Sequence, residues 1–163
     1  MKFNTIFLSL WLALIGAFPA AAPGSSDSAL ASLLSKDDPP AGVVFEVVQG
    51  DPDGLNWAIP KINGYIKELR ARFPGLPVAV VSHGQEQFSL LRENESTYGD
   101  THELARGFLK EQSIPVQVCG NHAGMYGHRP DAYPDYVEVV DAAPRAIRRY
   151  REQGYEVVVV RRR

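Results

Sequence analysis

The stretch "IPVQVCGNH", residues 114–122, joins a short apolar run rich in β-branched residues to a Cys-Gly-Asn turn. Its apolar part is nearly continuous instead of alternating, the pattern of a strand covered on both faces in a parallel sheet. Four more runs of this kind lie along the chain: "VVFEVV" (43–48), "PVAVVS" (77–82), "VEVV" (137–140) and "EVVVV" (156–160). Parallel strands need crossovers, and helical patterns fill most of the gaps. Leu55, Ile59, Ile62, Ile66, Leu69 and Phe73 line one helix face, with regular helix expected to begin near Pro60 and to end at Gly75. Asp100 and Glu103 have capping-box spacing ahead of Leu104, Ala105, Phe108 and Leu109. Ala142, Ala146, Ile147 and Tyr150 mark a last helix, closed by Gly154. The order β-α-β-α-β-β-α-β predicts an α/β fold: an open parallel five-stranded sheet with helices on both faces, flavodoxin-like in its layering.

Outward from the strands, the N-terminus has a different character. Residues 1–22, "MKFNTIFLSLWLALIGAFPAAA", carry a lone basic residue, an apolar core and a small-residue end, which is the make-up of a secretory signal peptide. Pro19 and Pro23 flank the small residues, leaving an uncleaved anchor as the alternative and the only membrane contact expected. Residues 23–41 are rich in small, polar and proline residues and read as a linker. The folded domain is then 42–163, and its expected location is the bacterial periplasm. A formal net charge of -2 argues against a nucleic-acid partner. Arg145, Arg148, Arg149, Arg151 and the terminal "RRR" read as a solvated helix face and tail. A single cysteine excludes an intramolecular disulfide.

In open parallel sheets chemistry gathers at the carboxyl ends of the strands. Those ends carry "QGDPDGLNW", "SHGQ" and "CGNHAGMYGH". No G-x-G-x-x-G follows the first strand and no P-loop occurs, which leaves nucleotide binding without support. "VSHG" lacks the glycine pattern of a nucleophile elbow. "DPDG" resembles a calcium loop, but the twelfth position counted from Asp51 is Ile62, where glutamate is needed. Asn94-Glu95-Ser96 is a glycosylation sequon only in a eukaryotic source. Cys119 stands apart. Gly120 permits close backbone approach and Asn121 is a capping residue for a following helix or turn. Amide N–H groups at a helix start and an imidazolium, for which His122 is the neighbouring candidate, both stabilise a thiolate.

Taken together, "VVFEVVQGD", "VAVVSHG", "IPVQVCGNH" and "GYEVVVV", each with its intervening helix, resemble the DsrE/DsrF-like family, including the YchN-type proteins, over residues 43–160. The resemblance implies a five-stranded parallel α/β domain that assembles as a homo-oligomer, a trimer or hexamer. It also implies a sulfur-relay role, with Cys119 as the catalytic persulfide carrier, Gly120 and Asn121 shaping its pocket, and His83 and Gly84 lining it. A thiol protein or small sulfur compound would be donor and acceptor, and no cofactor is required. The loop here departs from the family's in His122, which joins the substrate-pocket candidates.

Two alternatives remain open on the residues. Cys119, His122, Met125 and His128 offer thiolate, imidazole and thioether ligands suited to copper or zinc. Alternatively Cys119 is inert, His102 is scaffold, Trp57 and Tyr65 pack the core, and "DAYPDY" forms an aromatic surface in a non-catalytic assembly.

Overall fold

A computed structural model describes residues 25–162. Five strands, β1 (Gly42–Val47), β2 (Val78–Ser82), β3 (Val116–Cys119), β4 (Val137–Val140) and β5 (Tyr155–Val160), form one sheet in the order β4-β3-β2-β1-β5. Every pairing is parallel, with Val47 opposite Ser82, Ser82 opposite Val118 and Cys119 opposite Val140. The layering is the expected one, whereas the strand order differs from the flavodoxin order 2-1-3-4-5.

Among the described residues five α-helices accompany the sheet: α1 (Ser26–Leu34), α2 (Gly54–Arg72), α3 (Gly99–Gln112), α4 (Gly120–Met125) and α5 (Ala143–Glu152). The main core holds Phe45, Val80 and Val118 from the strands with Leu30, Ile62, Phe108 and Ala123 from α1 to α4. A smaller core on the other face holds Val44, Ala79, Val81 and Cys119 beneath Ala143 and Ile147 of α5. Right-handed crossovers explain the division. The chain steps β1, β2, β3, β4 in one direction and keeps those helices on one face. It then reverses from β4 to the far edge at β5, which places α5 on the opposite face.

Four local expectations change. Residues 26–34 form α1, packed on the domain through buried Leu30 and Leu33, whereas this segment reads as linker in the sequence. Ser26 bonds the Tyr65 hydroxyl at 2.9 Å and Asp27 pairs with Lys61 at 2.8 Å, so the segment is an integral layer. The second helix starts at Gly54 and runs through Pro60. The ring's missing N–H falls in the early turns, where the buried face of Leu55, Ile59 and Ile62 holds the helix together. At α3 the N-cap is Tyr98 without a side-chain cap, so Asp100 and Glu103 form no capping box. Gly120–Met125 is a short helix whose N-cap is Cys119, not Asn121. The signal peptide expected over residues 1–22 lies outside the described residues. Among the described residues no helix is long and apolar enough to cross a membrane.

Candidate functional site

β3 ends on Cys119, and the chain leaves it over the main core through α4. β4 ends beside it, and the chain leaves that strand over the opposite face through α5. Adjacent strands whose connections depart to opposite faces make a switch point, where open α/β sheets place their ligands. Gly120 fits this crevice closely: a Cβ there would lie 3.1 Å from both the Val139 side chain and the Val140 carbonyl oxygen. The Asn121 N–H donates to the Asp141 carbonyl at 2.8 Å, which ties the start of α4 to the end of β4.

The sulfur of Cys119 lies between two helix starts. The His122 N–H donates to it at 3.4 Å and the Ala143 N–H, first residue of α5, at 3.3 Å. Two amide donors in place of water are the setting that stabilises a thiolate. The same sulfur is buried: Cys119 is 4% exposed and packs with Val44, Ala79, Val81 and Ile147. It is therefore not open on the rim, as the sequence argument requires of a cargo-bearing thiol. Tyr133 is also buried, its hydroxyl has no hydrogen-bond partner among the described residues, and burial first and then the nearby Cys119 charge push that hydroxyl's pKa up. Val140, the register partner of Cys119, lines a cleft of about 180 Å³ with Gln117, Glu138, Ala146, Arg149, Tyr150 and Gln153. A larger cavity of about 480 Å³ between α2 and α3 is on the other face of the sheet, away from the sulfur.

Of the pocket candidates, Gly120 and His122 are at the sulfur. Asn121 is exposed and contributes its backbone. His83 Nε2 bonds Glu46 Oε1 at 2.8 Å, and the imidazole holds that carboxyl below its ordinary range despite partial burial. Gly84 braces the ends of β1 and β2 instead of the thiol. Its N–H donates at 2.9 Å to Glu86, a fully buried carboxylate that also accepts from Ser82 Oγ at 2.7 Å and Gln49 N–H at 2.7 Å. The soft-metal set is dispersed: Met125 is 78% exposed and His128 faces Glu93 at 3.8 Å. Among the described residues no three His, Cys, Asp or Glu side chains are placed to hold a metal ion. His102 is scaffold, bonded to Ser89 O at 2.8 Å and to the Tyr136 hydroxyl.

Two contributors escaped the sequence reading. Gln87, fully buried, accepts the Cys119 N–H at 2.9 Å and reaches His122 Nδ1 at 2.7 Å. It sits in a polar segment with no apolar period, so nothing in its neighbours marks it. Ala143 acts through its N–H, and Pro144 just after it was the available signal, since proline favours the first turn of a helix.

No family model matches the chain, and no curated protein matches it. Among solved structures, MTH1491 from Methanobacterium thermoautotrophicum, a protein of unknown function, superimposes with a TM-score of 0.54 at 23% identity, covering 72% of this chain and 96% of that one. The two chains share an α/β fold. The ychN protein from E. coli aligns over 72% of this chain and 98% of its own, with 17% identity and a TM-score of 0.49. At 23% identity the likeness to MTH1491 is one of architecture, and the parallel sheet places Cys119 at the end of β3 opposite Val140.

Proposed function

We propose that this protein is an exported carrier of sulfane sulfur, held as a persulfide on Cys119. The observation that carries this reading is the pair of amide N–H groups, from α4 and α5, directed at one sulfur at a switch point. In the loading step the Cys119 thiolate attacks the outer sulfur of a persulfide R–S–S–H. The donor S–S bond breaks, R–S⁻ leaves, and Cys119–S–S–H forms. In delivery an acceptor thiolate R′–S⁻ attacks that outer sulfur, R′–S–S–H departs, and Cys119 returns as thiolate. The sulfane atom keeps its oxidation state throughout, so no oxidant or cofactor enters. Bound cargo extends about 2 Å beyond the cysteine sulfur, the length of an S–S bond. Export to the periplasm and assembly into a trimer or hexamer complete the proposal.

The burial of Cys119 favours a second reading, in which the residue is an inert apolar plug of the smaller core. Incubation with inorganic polysulfide followed by intact mass spectrometry separates the two. The carrier reading expects the mass of one added sulfur in the wild type, removed by dithiothreitol and missing in Cys119→Ser. A wild-type protein that stays unmodified while folded leaves the plug reading in possession. Fractionation of the native cells with N-terminal sequencing, and native mass spectrometry of the recovered protein, test export and assembly.

A further inference from the structure

The backbone N–H of Cys119 can only donate, so the Gln87 atom 2.9 Å from it is the amide oxygen. The other arm of that amide is then the NH₂ group, 2.7 Å from Nδ1 of His122. A donor facing a ring nitrogen requires that nitrogen to be bare, and the ring proton is left on Nε2. Among the described residues Nε2 of His122 has no hydrogen-bond partner. Phe88 and Tyr126 both pack against the ring, each with a centroid separation of 5.3 Å, and against each other at 5.0 Å. Gln87 itself is fully buried, so its own orientation is fixed by these two bonds.

We propose that Gln87 is a positioning residue of the Cys119 site: its amide fixes His122 as the Nε2–H tautomer and keeps that N–H free to hydrogen-bond the sulfur cargo and the thiolate that leaves it. The chemical consequence rests on the persulfide reading above, whereas the tautomer does not. His122 acts here as a hydrogen-bond donor, not as an acid, because the proton stays on the ring through both transfer steps. The backbone N–H of the same residue already faces the cysteine sulfur, so one residue offers the carrier two donors.

Nitrogen-15 NMR of the imidazoles in the full-length protein, above the ordinary histidine range of about 6.5, reads the tautomer directly. The wild type is expected to show His122 with Nδ1 bare and Nε2 protonated. In Gln87→Glu both carboxylate oxygens accept, so the proton moves to Nδ1 and Nε2 becomes bare. Loading of Cys119 by inorganic polysulfide then slows about tenfold, the loss expected for one hydrogen bond to a charged group. A wild-type His122 that is Nδ1-protonated, or that exchanges between tautomers as free imidazole does, overturns the proposal whether or not the variant folds. So does a switched tautomer with an unchanged loading rate. If wild-type protein takes up no sulfur while His122 is held as Nε2–H, the carrier reading fails and the positioning geometry stands.

Discussion

A Cβ on Gly84 would overlap Glu86 Oε2 and the backbone of Gln49, both pinned in the same buried network. Neither neighbour is the free end of a flexible side chain, so Gly84→Ala must displace the ends of β1 and β2. We expect a loss of about 1–3 kcal/mol in urea unfolding, and an unchanged midpoint would count against this packing. Gln87→Leu strands the Cys119 N–H without an acceptor and is expected to cost a similar 1–3 kcal/mol or so. Cys119, Gly120 and His122 were legible as candidates because thiol, glycine and imidazole announce their chemistry by type, and the structure brings them together. Glu86 and Gln87 were not, since a buried polar side chain is recognised by the partners that satisfy it, and those partners are distant in sequence.

For the elements, the contrast lies between the strands and the short helices. A run such as "PVAVVS" is apolar on both sides, and that demands burial from two layers whatever surrounds it. The six residues of α4 contain two glycines and one buried side chain, Ala123, so they carry no period to read. Segment 26–34 buries only two apolar side chains, Leu30 and Leu33, beside Ser26, and its place depends on a Tyr65 and Lys61 surface more than thirty residues away. Leu33→Ala is expected to cost about 2–5 kcal/mol, because it opens a cavity in the main core. A leucine in a true linker would cost almost nothing, so chemical denaturation of this one variant tests whether α1 belongs to the domain.

Across the whole molecule the charged pairs set how stability varies with pH. The folded pKa of Glu46 is depressed below its ordinary 4.5 chiefly by the bond to His83. Its contribution is therefore complete above about 4.5 and is lost as pH falls through the lower folded value. Lys61 has the opposite sign: Asp27 and Tyr65 raise it above 10.5, so its contribution is present below 10.5 and fades as pH climbs through the raised value. Stability measured against pH for Glu46→Gln should lack part of the acid limb of the wild type, and superimposable curves would remove the pair from that account. The sheet order was the least legible property at this scale, because the pattern of runs is the same whichever edge receives the final strand.

Placing the sole thiol at the end of β3, beneath the first turn of α5, has a practical consequence. Reagents must wait for that cover to loosen before they touch it. The rate of covalent labelling should then level off as reagent is increased, and the plateau gives the frequency at which the helix lifts from the sheet. The protein thus carries its own clock for fraying, with no label introduced.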